Sequence, residues 1–191
     1  MKFDYPFGAT PLDMDEAALL IPKHITLMSE LNAFEHANIL IGEQWALRSR
    51  FNLNVHYMKK LHTKMFDQTW KWAGKFRKTG KNIGVDAYRI ETELKQLCED
   101  IQYQILHQAF EFDEIAARFH HRLVLIHAFP NGNGRHARLM TDLLLLKHGK
   151  ERFSWGSHMR ESTYIVRRNY IAALRLADAH EMFALLEFVR S

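Results

Sequence analysis

The stretch that decides the fold is HAFPNGNGRHAR, residues 127–138. Apolar residues recur at helical spacing on both sides of it, so PNGNG is predicted to be a tight loop that leads into a helix N-terminus. The first backbone N–H groups of a helix lack partners and its dipole is positive there, which favours an anion. Gly132 and Gly134 let the backbone approach that anion closely, and Arg135 and Arg138 lie one turn apart on the same side. The loop is therefore predicted to bind phosphates, and more than one.

His127 ends the preceding helix, beside this predicted anion site. Histidine accepts a proton near neutral pH, so its position next to a polyphosphate indicates that a hydroxyl is activated there to attack phosphorus. A helix-end histidine that only caps backbone carbonyls is the alternative.

Length and composition set the class of protein. A chain of 191 residues with 47% hydrophobic and 25% charged residues is typical of one folded, helix-rich domain. Its single cysteine, Cys98, excludes an intrachain disulfide and fits a reducing compartment. The chain has no apolar run near the roughly 20 residues of a membrane span and no signal-peptide core, so we expect a cytoplasmic protein without a membrane partner. The net charge of +4 comes from scattered basic residues, so direct nucleic-acid binding is not expected.

Apolar periodicity predicts helices over residues 29–50, 54–66, 91–107, 113–129 and 135–150. The apolar positions assigned to the first helix are Leu31, Phe34, Ile41 and Trp45, and those assigned to the fifth are Leu139, Leu143 and Leu146. One segment interrupts this pattern. FRKTGKNIGVDAY, residues 76–88, combines a turn signal with β-branched residues and is predicted to form a short β-hairpin. Such a hairpin could offer its edge to an extended peptide.

Residues 127–138 resemble the signature of the Fic-domain family, His-x-Phe-x-(Asp/Glu)-Gly-Asn-Gly-Arg-x-x-Arg, and match every specified position except one. KNIGV resembles the flap of that family, and NYIAALRLAD resembles its last long helix. The resemblance implies an all-α, Fic-type helical bundle with a short β-hairpin flap. Residues 54–191 would form the Fic domain, and residues 1–53 an N-terminal extension with a helix packed on the core. The opening GATPLDMDEAALLIPKHI resembles the subgroup called mobile mystery protein B, which implies a helix-turn-helix partner protein.

The resemblance also implies an activity. The chain would transfer AMP from ATP to a Ser, Thr or Tyr hydroxyl of a target protein, itself included. His127 would be the base, and Phe129 would anchor the loop. The phosphates would be bound by Gly132, Asn133, Gly134, Arg135 and Arg138. The flap residues that hold the target would be Lys81, Asn82 and Ile83.

Two positions depart from the family pattern. Asn131 replaces the acid that holds Mg²⁺, so we expect metal binding that is weakened but not lost, because an amide oxygen carries no full charge. The inhibitory segment of many Fic proteins, (Ser/Thr)-x-x-x-Glu-(Gly/Asn), is matched only in part by TLMSEL, where Glu30 is followed by Leu31. Glu30 is therefore either an inhibitory residue or an ordinary first-turn acid of a helix.

Other functions stay open at this point. Asn131 leaves room for a catalytically inactive Fic-fold module that binds a DNA-binding protein, as in a toxin–antitoxin pair. A Doc-like phosphotransferase would move the γ-phosphate instead, but such proteins lack the second glycine, which is present here as Gly134. A zinc site would draw on His120, His121, His127 and His136, yet no His-Glu-x-x-His motif accompanies them. An oligomer is also open.

Overall fold

The computed structural model describes residue 8 and residues 10–191, and these residues form helices joined by loops. The α-helices are α1 (Met14–Ala17), α2 (Met28–Arg48), α3 (Val55–Phe66), α4 (Ile90–Leu106), α5 (Phe112–Ile126), α6 (Asn133–Lys147), α7 (Thr163–Asp178) and α8 (Phe183–Arg190). A 3₁₀ turn, Ala87–Arg89, leads into α4. None of the described helices is long and apolar enough to cross a membrane. The all-helical prediction is confirmed, and each of the five predicted helices is present.

Helix α2 buries a partly polar face against α3. Glu35 and Asn38 lie on this face between apolar neighbours. Gly42 allows the close approach, because a Cβ there would come within 2.8 Å of the Met65 backbone nitrogen. The apolar pattern placed Ile41 on the buried face, but its side chain is 47% exposed. That assignment is wrong because close packing and polar partners, not apolar spacing, orient this helix.

Helices α5 and α6 run through the centre and carry the candidate site between them. On α5 the predicted apolar residues are all buried, namely Ile115, Phe119, Leu123 and Ile126. On α6, Leu139 and Leu143 are buried, whereas the predicted core position Leu146 is 41% exposed in the last turn. Helix α4 packs on α5, and α7 pairs with α8 over a second cluster of buried apolar residues.

The predicted β-hairpin is not present, since no strand occurs among the described residues, including 76–88. This segment is an irregular loop, which we call the flap loop (residues 75–86). Its backbone carbonyls bond to a buried side chain, Arg77, instead of to a partner strand. Arg77 donates to the carbonyl oxygen of Thr79 at 2.8 Å and to that of Val85. A guanidinium has several donors in one plane, so it can satisfy carbonyls that a strand pair would otherwise satisfy.

Candidate functional site

His127 is the first residue after α5, and its backbone is left-handed, with φ 51° and ψ 58°. This conformation costs a non-glycine residue about 1–2 kcal/mol, so the surrounding structure must impose it. The side chain is 6% exposed, and neither ring nitrogen has a hydrogen-bond partner among the described residues. Burial, and secondly the charge of Arg77, lower the pKa of His127 to about 4. The imidazole is therefore neutral at pH 7, with one acceptor and one donor left to a ligand.

Arg77 imposes this geometry. Its Nε donates to the carbonyl oxygen of His127 at 2.6 Å, and its backbone N–H donates to the carbonyl of Ala128 at 3.0 Å. The side chain is 3% exposed, so these are interior contacts. The flap loop also reaches the histidine itself, because a Cβ on Gly84 would lie 2.9 Å from His127 Cβ. Arg77 thus joins the flap loop to the residue predicted to be the base.

The loop between α5 and α6 is closed by a side-chain amide. Asn133 Oδ1 accepts from the Phe129 N–H at 2.9 Å, and Asn133 Nδ2 donates to the Phe129 carbonyl at 2.8 Å. Phe129 is 1% exposed and stacks on His62 with ring centroids 3.7 Å apart. Asn133 was predicted to bind phosphate, but its side chain is committed to the loop, so only its backbone N–H can serve that role.

Gly132 is the N-cap of α6 and has φ 77°, and a Cβ there would come within 2.5 Å of the Phe66 ring. Both the conformation and the close approach require glycine.

His62, on α3, supports the backbone of the same loop. Its Nδ1 accepts from the Gly74 N–H at 3.0 Å, so its Nε2 carries the hydrogen and donates to the Asn131 carbonyl at 3.1 Å. The loop backbone is therefore held in place before any ligand binds.

The two arginines of the motif diverge. Arg135 Nη1 bonds to the carboxylate of Glu35 on α2 at 2.7 Å, and its guanidinium lies 5.1 Å from the centroid of the Phe66 ring. Arg138 points to the other side, with its Cζ 4.7 Å from the centroid of Tyr170 and 5.5 Å from that of Trp155. The spacing predicted a shared side, but only the backbones share it.

Asn131 is a poor metal ligand as it stands. Its Oδ1 accepts from the Gly132 N–H at 2.6 Å and from Arg135 Nη2 at 3.4 Å, while its Nδ2 donates to the Thr10 carbonyl at 3.2 Å. The oxygen thus faces a guanidinium, where a cation would be repelled. No group of three or more His, Cys, Asp or Glu side chains that could hold a metal occurs within the described part of the chain. These residues do not fit a divalent cation.

The predicted flap residues separate into two kinds. Lys81 was expected to hold the target, but its side chain is 3% exposed and pairs with Asp13 at 2.9 Å and with Glu16. The lysine charge is therefore compensated by α1 and its N-cap, and its role in holding the target stays a prediction. Asn82 and Ile83 are exposed at the tip of the flap loop, and Ile83 is accessible to 43%. These two stay predicted target contacts.

Glu30 caps the N-terminus of α2. Its carboxylate accepts from the backbone N–H groups of Thr26 at 3.2 Å and Leu27 at 3.3 Å. This is the geometry of a first-turn helix acid, and an inhibitory role stays a prediction. The carboxylate that contacts the phosphate loop is Glu35, one turn further along the same helix.

The remaining histidines of the zinc alternative have separate partners. His120 Nε2 lies 2.7 Å from the Tyr170 hydroxyl, and His121 Nε2 lies 2.7 Å from Asp178 Oδ1. His136 Nε2 donates to the Met58 carbonyl at 2.9 Å. The structure therefore distributes these side chains over different contacts.

Sequence reasoning missed three residues of the site: Glu35, His62 and Arg77. All are buried and polar, and each contacts the motif across a separation of 50 residues or more in the chain. For Glu35 and His62 the only local signal was a position on a buried helix face, and for Arg77 in the flap loop there was none.

Two comparisons match part of this sequence to known proteins. A model of the Fic/DOC family matches residues 52–145. The protein adenylyltransferase fic-1 of Caenorhabditis briggsae is 36% identical over 80 residues, which make up 40% of this chain but only 16% of that protein. These matches support a Fic/DOC family domain, while the mobile mystery protein B subgroup stays a prediction.

Solved structures share the fold. The BepC protein, a VirB-translocated effector of Bartonella tribocorum with bound AMPPNP, has a TM-score of 0.71 and 18% identity, and the match covers 93% of this chain and 98% of that chain. The N-terminal Fic domain of a Bep effector protein of Bartonella quintana, with bound ADP, has a TM-score of 0.66 and 17% identity, with coverage of 85% and 84%. Both of these proteins bind nucleotide.

Proposed function

We propose, from the Fic/DOC family domain at residues 52–145, that this chain transfers AMP from ATP to a Ser, Thr or Tyr hydroxyl of a target protein. One observation carries the proposal: the neutral, buried imidazole of His127 has no hydrogen-bond partner at either nitrogen within the described residues, and His127 precedes the N-cap of α6, Gly132, by five residues. A buried polar group without a partner costs about 1–3 kcal/mol, so such a group indicates a ligand.

The geometry suits attack of a hydroxyl on phosphorus. The target hydroxyl gives its proton to the free acceptor nitrogen of His127, and its oxygen bonds to the α-phosphorus of ATP. The bond from that phosphorus to the β-phosphate oxygen breaks, and diphosphate leaves. The backbone N–H groups of the first turn of α6, from Asn133 on, would face the developing negative charge, since the N–H of Gly132 already donates to Asn131. Negative charge bound there raises the pKa of His127 from about 4 and so strengthens the base as substrate arrives.

No step of this mechanism passes through a metal ion, because Asn131 and its neighbours do not fit one. The resemblance to the family implied Mg²⁺. The neutral oxygen of Asn131 is already bonded to Gly132 and Arg135.

The flap loop is proposed to hold the target. Asn82 and Ile83 are exposed there, and Gly84 packs on His127. A target segment along the loop would bring its hydroxyl to the imidazole. A helix-turn-helix partner protein and a cytoplasmic location remain proposals from the sequence.

A second candidate is a non-catalytic nucleotide-binding module. It is favoured by the same observation that argues against a metal, namely that Asn131 and Arg135 are engaged with the protein itself. A Doc-like transfer of the γ-phosphate would use the same loop. The position of the label on ATP separates these functions.

The test uses ATP labelled on either the α- or the γ-phosphate, the purified chain and a cell lysate. We expect protein-bound label from α-labelled ATP only, with loss of at least about 100-fold in His127→Asn. Asparagine tolerates the left-handed backbone but cannot act as a base. The control is His56→Asn, an exposed histidine at the start of α3, which should label as the wild type does. Label from γ-labelled ATP alone would indicate phosphotransfer, and nucleotide binding without label would indicate the module.

A further inference from the structure

Arg135 and Arg138 differ in how much charge they can offer to a ligand. The charge of Arg135 is compensated by Glu35, whose carboxylate is 7% exposed and lies 2.7 Å away. Arg138 has no carboxylate within 4 Å among the residues that the structure describes, and its guanidinium lies against the rings of Tyr170 and Trp155. A cation on aromatic rings keeps its full charge, so the attraction for an anion is centred on Arg138, away from Arg135.

A third arginine lies next to Arg138. Arg167 is on α7, one turn before Tyr170, so both occupy the same side of the helix. Burial raises the pKa of Tyr170 to about 12, and the charges of Arg138 and Arg167 both act against that rise. Arg138 therefore lies over the phenol ring, and Arg167 lies one helical turn from that ring on the same side of α7.

The charges of this pair repel each other. Partial burial, and next the positive charge of Arg138, lower the pKa of Arg167, while its side chain stays accessible at the surface. A ligand with two or more negative charges would gain charge-assisted hydrogen bonds from both guanidinium groups.

We infer that Arg138 and Arg167, rather than Arg138 and Arg135, bind the outer phosphates of the nucleotide. The ligand chemistry is a di- or triphosphate tail, and its identity as ATP rests on the proposed function. Helix α7 is thereby part of the nucleotide site, although residue 167 lies outside the matched family segment, residues 52–145. In this arrangement Arg135 helps to hold the loop in place through its ion pair with Glu35.

The test compares Arg167→Gln with Arg168→Gln, the next residue on α7, which is also exposed but points about 100° away around the helix. Binding of ATP and of AMP is measured by calorimetry at two salt concentrations. We expect Arg167→Gln to weaken the binding of ATP about tenfold and to reduce the salt dependence of that binding. The affinity for AMP should change less than about twofold. Arg138→Gln should weaken ATP binding about as much as Arg167→Gln does, and Arg135→Gln should weaken it less than either.

Pyrophosphate serves as a second probe, so that the arginine site can be tested without the nucleoside. Weaker pyrophosphate binding in Arg167→Gln than in Arg168→Gln supports the inference even if no AMP is transferred, in which case only the proposed function fails. The inference is overturned if the two variants bind ATP and pyrophosphate with equal affinity, or if Arg167→Gln weakens the binding of AMP as much as that of ATP. A wild type that binds neither probe also overturns it.

Discussion

Glu35 shows how one buried residue organises the site. Its Oε1 accepts from Trp70 Nε1 and its Oε2 from Arg135 Nη1, both at 2.7 Å, and the residue is 5% exposed. Both carboxylate oxygens therefore have a charged or polar donor inside the protein. A buried carboxylate is tolerated only when it is paired in this way. Glu35 thus joins α2, the loop after α3 and the first turn of α6.

We expect Glu35→Gln to lower the free energy of unfolding by about 1–2 kcal/mol, because the amide can keep the bond to Trp70 but loses the ion pair to the partly exposed Arg135. The matched control is Glu43→Gln on the same helix, whose partner Arg152 is at the surface, 2.6 Å away. It should cost less than about 0.5 kcal/mol. Urea denaturation of both variants measures the difference, and equal losses would show that the Glu35 pair contributes no more than a surface pair.

At the scale of the element, the flap loop is held by a side chain where a hairpin would be held by its ladder. Arg77 collects carbonyl groups from the loop itself and from the end of α5, at Thr79 and His127. The loop can therefore be irregular without leaving these carbonyls unsatisfied. A displacement of the flap loop would therefore also displace His127, because Arg77 contacts both.

We expect Arg77→Lys to destabilise the protein by about 2–3 kcal/mol, because one ammonium cannot reach carbonyls on both sides of the loop. AMP transfer should fall mainly through kcat, since His127 loses its support while the phosphate contacts stay. Arg89→Lys, the same change at the exposed residue before α4, is the control and should leave both quantities unchanged. Steady-state kinetics and hydrogen exchange of residues 75–86 measure the effect. A loss confined to KM would place Arg77 in substrate binding instead.

At the scale of the molecule, four buried histidines make the fold sensitive to acid. Burial is the main cause that lowers their pKa, to about 3 for His120, to about 4 for His127 and His136, and well below its ordinary value for His62. The folded state holds them neutral, whereas the unfolded chain protonates them below about pH 6.5. Their contribution to the free energy of unfolding is complete above pH 6.5 and is lost as the pH falls towards 4.

We expect the free energy of unfolding at pH 5.5 to be lower than at pH 7.5 by about 1 kcal/mol for each of His120, His127 and His136, with a further loss in the same direction from His62. His136→Gln should reduce the pH dependence by about that amount, since an amide can still donate to the Met58 carbonyl without titrating. His56→Gln, at an exposed position, should leave it unchanged. Urea midpoints at the two pH values test this, and a pH dependence equal to wild type in His136→Gln would contradict the buried neutral state.

The sequence by itself determined five of the eight described α-helices and the position of the motif. Met58, Leu61 and Met65 are all buried at the spacing that predicted α3, because helical periodicity is a local property of the chain. The same locality places His127 between two helices and puts the loop of residues 130–134 at a helix N-terminus. Periodicity did not predict that Ile41 and Leu146 are exposed, because exposure at these positions depends on which other helices pack against them.

Only the tertiary structure decided what each site residue contacts. Glu35 meets Arg135 across 100 residues, Arg77 meets His127 across 50, and Lys81 turns to Glu16 across 65. A buried charge must find its partner wherever the fold brings one within hydrogen-bond distance, and no local pattern records that partner. For this reason the place of the loop between two helices was predictable from its residues, whereas the division of the two arginines between contacts with α2 and α7 was not.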